Sequence, residues 1–288
     1  MGGGRTAPRR VRAAWAALVL AAATGAGTAG GGTAAAAAAA PETHRCSEQE
    51  SWPREPGQTY VIEGDLVGDV SCHVTGVQVL GDVHVDAGAH LGLYTSVVEG
   101  DVVSVGAVYL DGTIVLRDVH LTGGAGLATY AAHVHGSVQA AGSIILDDST
   151  VDGDLLAAAS ATQPWLRVVG TTVRGDVVGH GGDMTFAWSH VGEDLTLARW
   201  SNLRVCEGTV GGDVLLTSAA GTGALGASSC GGRGPTIEGS LTAVDVQPSV
   251  SVLRTSVGRD LRCVASPGLV QLFSVTVGGF RDPGCRAR

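Results

Sequence analysis

Carboxylates are the most regular chemical groups in this chain. An Asp recurs in the phrase aliphatic, any residue, Gly, Asp, Val or Leu, with copies at 62–66, 79–83, 98–102, 151–155, 173–177, 191–195, 210–214 and 257–261, where Glu193 and Arg259 replace the Gly in two of them. Weaker copies fall at 116–119, 134–138, 237–241 and 277–280. Stacked in register, up to nine side chains (Asp65, Asp82, Asp101, Asp118, Asp154, Asp176, Asp194, Asp213 and Asp260) form one outward column. Neighbours about 4.8 Å apart would repel by roughly 0.9 kcal/mol even in a water-like dielectric. Two chemistries offset this. An Asp that follows Gly at a corner accepts a hydrogen bond from a nearby backbone N–H. Alternatively Ca²⁺ bridges adjacent carboxylates, with Asp154, Asp176, Asp194 and Asp213 as the ligands. The Gly-Gly-x-Gly-x-Asp nonapeptide of calcium-binding β-rolls is missing, so turn chemistry is preferred and no cofactor is assigned.

Acid–base chemistry on a polysaccharide would fall to Asp147, Asp148 and His180. Asp147-Asp148 and Gly179-His180-Gly181 resemble fragments of the polygalacturonase signature, in which paired carboxylates protonate the leaving oxygen and activate water. The Asn-Thr-Asp and Arg-x-Lys elements of that family are missing, and the chain has no Lys. The bland alternative makes Asp148 a turn residue and His180 a loop residue. His133-x-His135 would share one strand face and could ligate a metal, but no carboxylate or Cys lies close in sequence, so solvent exposure is preferred. Trp165, Trp188 and Trp200 fall in three successive repeats; a sugar-stacking strip is weighed against local packing, which is preferred. A Thr/Ser column (Thr150, Thr172, Thr209, Thr236, Ser256, Thr276) lacks the paired rows of ice-binding solenoids and reflects β-propensity.

The elements that position these groups follow from the period. Phrase markers from Asp65 to Phe280 give intervals mostly between 17 and 22 residues. Helix-pair repeats need roughly 33 residues or more, and the Leu/Asn skeleton of leucine-rich repeats is absent. Period-two alternation, as in Asp82-Val-His-Val85 and Asp194-Leu-Thr-Leu197, marks strands. The expected fold is all-β: a single-stranded, right-handed parallel β-helix of about 11–12 coils over 61–280, roughly 58 Å long. Residues 41–60 form an N-terminal extension or cap and 281–288 a C-terminal tail. Gly serves at corners with positive φ or where stacked backbones need room.

The first forty residues read as a secretory signal peptide and Ala/Gly-rich leader, too short in its apolar part to span a membrane. Without its four arginines, 14 basic residues face 27 acidic ones, which argues against nucleic acid or anionic lipid as partners. Six cysteines in an exported chain imply disulfides. Repeat register pairs Cys46 with Cys72 and Cys263 with Cys285 as caps over the open ends. The third pair is Cys206 with Cys230, pinning a long loop from Thr217 to Gly234.

The Val-x-Gly-Asp-Val phrase, with its aliphatic columns, resembles bactofilin-type polymer-forming β-helices. It is more similar to secreted β-helix proteins of GC-rich Gram-positive bacteria, in which Val-Gly-Gly-Asn-Leu phrases recur with flanking cysteines; Val210-Gly-Gly-Asp-Val214 comes closest. That secreted group carries no established activity. The expectation is a secreted, non-catalytic structural or surface-binding protein whose partner is a cell-wall or other surface component. The alternative is a carbohydrate-active enzyme on acidic polysaccharide.

Overall fold

A computed structural model describes residues 42–48, 59–158, 165–219, 221–226, 231, 233–247, 249–266 and 269–287. The expected leader lies outside them. The described chain is all-β, a parallel solenoid of about 11 turns built from three 12-stranded sheets. A coil opening at Asp82 runs through Val83–Val85 in sheet 1, His90–Tyr94 in sheet 2 and Val97–Val98 in sheet 3. The next coil repeats it in parallel register, with Val83 against Val102, Leu93 against Leu110 and Val98 against Val115.

The phrase spans one corner of the triangle. Its first aliphatic residue ends sheet 3 pointing inward, as Val79, Val98 and Val115 do, all at 0% exposure. Its last opens sheet 1 pointing inward, as Val83, Val102 and Val119 do. Alternate residues therefore stack into apolar columns, and nearly all of them join one continuous core. Beside the buried ring of Phe186, Trp200 is the largest departure from the aliphatic rule among the described residues. It is fully buried where Gly223 of the next coil offers no side chain, its Nε1 without a hydrogen-bond partner.

Between the two inward residues, Gly and Asp make a ladder. Asp65 Oδ1 accepts from the backbone N–H of Asp82 at 2.8 Å, and Asp82 Oδ1 from Asp101 N–H at 2.8 Å. The series continues through Asp154, Asp176, Asp194 and Asp213, whose acceptor contacts to the next coil are 2.9, 2.9, 2.7 and 2.7 Å. Where Ser replaces Asp, Ser137 Oγ and Ser240 Oγ take over at 3.1 and 3.4 Å. The expected backbone capping is present, but its donor sits one coil onward rather than in the same turn. The glycines have a corresponding role. Only Gly64 among the phrase glycines has positive φ (+146°). A Cβ on Gly81 would strike Asp65 Oδ1 and the Gly64 carbonyl, and Gly100, Gly136 and Gly175 repeat the collision. Close approach, not a bend, selects Gly here.

The corner from sheet 2 to sheet 3 is built differently. Thr95, Ala131, Asp148, Trp188, Arg254 and Ser274 adopt φ between +46° and +53°. Gly76, Gly112 and Gly170 hold equivalent places with positive φ. The following residue points inward and is often a hydroxyl: Ser96, Thr113, Ser149, Thr171, Ser189 and Thr255 are all at least 93% buried. Each donates to the carbonyl two residues back, as Ser149 Oγ does to Asp147 O at 2.8 Å. Four of them also accept an N–H from the preceding coil: Val77 to Ser96, Ala132 to Ser149, Ser149 to Thr171 and Thr171 to Ser189.

Both ends carry added strands. Glu42–Arg45 pairs with Gly64–Val67 as the first strand of sheet 1, and Arg286–Ala287 pairs with Gln271–Leu272 as the last of sheet 2. Disulfides Cys46–Cys72 and Cys263–Cys285 fasten them, as the register implied. Ser47 adds its N–H and Oγ to the Asp69 carboxylate at 3.0 and 2.5 Å, with Arg45 at 3.5 Å. The Ser47 hydroxyl is the largest influence holding the Asp69 carboxyl below its ordinary value of 3.8. Cys206 is buried and disulfide-bonded, but its expected partner Cys230 lies outside the described residues. The Thr217–Gly234 loop is corrected in part: Thr222–Leu225 is an ordinary sheet 2 strand. The extra length lies between that strand and the next strand of sheet 3, Thr236–Ile237.

Candidate functional site

Two outward regions gather chemistry. The first lies on sheet 2. Parallel register aligns His73, Gly92, Tyr109, Ala128 and Ile145 along its outer face. Small residues at Gly92, Ala107, Gly126 and Ala128 floor a depression of about 370 Å³, with Tyr94, Tyr109, His73 and Ile145 among its lining. The Tyr94 and Tyr109 rings stand 5.5 Å apart at a tilt of 56°, and His73 sits 5.8 Å from Tyr94. Gly92 keeps this space open, since a Cβ there would come within 2.7 Å of His73 Nδ1 and 2.9 Å of the Tyr94 ring. Burial raises the Tyr109 phenol above 10.0, and the neighbouring Asp111 carboxylate adds to that. Tyr109 therefore stays a neutral hydroxyl donor, directed at Asp111 Oδ2 at 3.4 Å. Apolar ring faces with a few hydroxyl and imidazole groups are the composition of a small-molecule or saccharide surface.

The second region lies on sheet 3. His133 and His135 share a strand face, as their spacing implied, and their rings stack at 4.0 Å. The expectation that they have no carboxylate partner is overturned. Asp152 occupies the phrase position of His135 one coil later, and its Oδ2 lies 3.0 Å from both His133 Nε2 and His135 Nδ1. Arg174, a further coil on, brings Nη1 to 3.1 Å of Oδ1 without hydrogen-bond alignment. Burial opposes ionisation of Asp152. The His133 hydrogen bond and the charges of His133, Arg174 and His135 outweigh it and hold the carboxyl below 3.8.

The residues that the alternative enzyme reading would use, Asp147, Asp148 and His180, do not converge. Asp147 ends a sheet 2 strand and pairs with Arg167 Nε at 3.1 Å. Asp148 is the positive-φ corner beside it. His180 ends a sheet 1 strand and precedes the sheet 2 strand Asp183–Ala187. It thus sits at the opposite edge of sheet 2 from Asp148, a strand length of roughly 15 Å away. The local packing preferred for the three tryptophans holds for Trp200, which is core, and is corrected for Trp165 and Trp188, which are exposed at opposite edges of sheet 2 and so form no strip with it. The Thr/Ser column is real, running in register from Thr150 to Thr276 with His190 inserted.

Among the described residues, two groups bring three metal-ligating atoms within 4.8 Å of one another: His133, His135 and Asp152, and Asp65, Asp82 and His84. Asp154, Asp176, Asp194 and Asp213 belong to neither. No helix among the described residues is long and apolar enough to cross a membrane. Comparison with protein-family models, with curated proteins and with solved structures finds no match to this chain.

Proposed function

We propose that this chain is a secreted, non-catalytic binding rod that presents the outer face of sheet 2 to a saccharide of the cell wall or another surface component. The observation that carries this is the sheet 2 depression, where the Tyr94 and Tyr109 rings flank a floor of Gly and Ala. Ring faces stack on sugar C–H surfaces, while phenol and imidazole groups hydrogen-bond sugar hydroxyls. A face repeated along a solenoid suits an extended polymer better than a small solute. Secretion rests on the leader-like N-terminus together with disulfides at both ends, which persist in oxidising compartments. The acidic balance favours a neutral or basic partner over nucleic acid. On this reading the chain groups with the secreted repeat proteins of GC-rich Gram-positive bacteria, and the Asp column needs no bound ion.

The test is sedimentation with insoluble cell-wall polysaccharide. Wild type is expected to co-sediment, and the Tyr94→Ala/Tyr109→Ala double variant to lose roughly tenfold in affinity, equivalent to about 1.4 kcal/mol. Equal binding by both proteins overturns the assignment to sheet 2. Sugar release by wild type that disappears in His180→Ala would instead establish the enzyme built on Asp147, Asp148 and His180.

A further inference from the structure

We propose that His133, His135 and Asp152 form a surface site for a transition-metal dication of the Zn²⁺ class, separate from the sheet 2 face. Two imidazoles and one carboxylate form the donor set that suits zinc and its neighbours, whereas Ca²⁺ and Mg²⁺ prefer all-oxygen sites. The geometry is close to what such an ion requires. Two of the three donor–donor edges are already 3.0 Å. The edge of a tetrahedron with bonds of 2.0–2.1 Å is about 3.3 Å.

The backbone fixes both halves of the site. His133 lies in the two-residue sheet 3 strand His133–Val134, whose register with Thr150–Val151 sets Asp152 over His135. Arg174 holds the remote oxygen Oδ1, so that Oδ2 faces the imidazoles, the part an outer-shell partner plays in metal sites. Oδ1 is buried and receives no aligned hydrogen bond, so the carboxylate is not fully satisfied by its protein neighbours. The imidazoles are partly exposed, with side-chain values of 34% and 43%, which leaves a fourth coordination position open to water or to a donor from a partner. The group at Asp65, Asp82 and His84 differs. Its two carboxylates already spend Oδ1 on the coil ladder, and it offers a single imidazole.

The test is calorimetric titration of the tag-free exported chain with Zn²⁺, repeated with Co²⁺ and followed by visible absorption. Wild type is expected to take up one equivalent and to show the intense Co²⁺ bands of a four-coordinate site. His135→Ala and Asp152→Asn are expected to weaken binding by about 100-fold, the upper end of what losing even an outer-shell partner costs. His84→Ala should bind like wild type. Far-ultraviolet circular dichroism establishes that each variant is folded. No uptake by wild type, binding undiminished in both site variants, or loss of uptake in His84→Ala alone would overturn the proposal.

Discussion

The two corners that flank sheet 3 solve one problem by different means. At both, the chain leaves a strand and its N–H groups must find acceptors without a neighbouring strand residue to supply them. The corner into sheet 1 uses an outward Asp whose carboxylate accepts the N–H one coil onward. The corner out of sheet 2 uses positive φ followed by an inward hydroxyl, which accepts an N–H from the coil before. The two ladders therefore run in opposite directions along the rod. One is wet and charged, the other dry and neutral. A solvent-facing acceptor leaves water as a substitute if it is removed, whereas a buried one does not. Equal hydrogen-bond counts should therefore have unequal consequences.

That contrast can be broken experimentally. The largest effect is expected from crowding the Asp corner rather than emptying it. Gly175→Val forces a branched side chain against Asp154 Oδ1 and the Gly153 carbonyl, and should lower stability by roughly 2–3 kcal/mol in thermal melts. Arg117, Glu193 and Arg259 stand at equivalent positions, so those three coils accommodate a Cβ at this corner. A neutral Gly175→Val would mean that the coil at Gly175 accommodates one as readily. Next comes the dry ladder. Thr171→Val keeps shape but strips the acceptor of Ser149 N–H and the donor to Val169 O, at about 2 kcal/mol. A smaller gain is expected from Ala131→Gly, which relieves a φ of +48° and should raise the melting point by up to about 1 kcal/mol equivalent. If it lowers stability instead, chain entropy outweighs corner strain at this position.

The end cap adds a pH-dependent case. The Asp69 carboxyl is lowered in the fold, so its contribution is complete above the ordinary 3.8 and disappears as pH falls through the lower folded value. Asp69→Ala should therefore melt below wild type at pH 7, and the gap should close only at pH below 3.8. A gap that is constant with pH would show that the ionised carboxylate is not what holds Ser47.

The sequence disclosed the wet corner and concealed the dry one for the same physical reason. An outward acceptor that must recur at fixed geometry leaves a fixed residue type, so Gly-Asp was legible, along with the period, the parallel solenoid and both end disulfides. A positive-φ corner is satisfied by Thr, Ala, Asp, Trp, Arg, Ser or Gly, and no consensus survives such freedom. The inward hydroxyls could have been found from Ser96, Thr113, Ser149, Thr171 and Ser189, each two residues before an inward aliphatic. The candidate sites were less legible still. Asp152 is seventeen residues from His135, so only coil-by-coil alignment of the phrase brings it to the histidines. Tyr94 and Tyr109 likewise come from neighbouring coils and carry no local motif.

The most direct test of the wet ladder compares Asp176→Asn with Asp176→Ala. Asn keeps a carbonyl oxygen for the Asp194 N–H but removes the charge; Ala removes both. If the column is a hydrogen-bond ladder, Asp176→Asn should melt within about 0.5 kcal/mol of wild type and Asp176→Ala about 1 kcal/mol lower. Equal destabilisation by the two substitutions would show that charge, and hence an ion, is what the column requires.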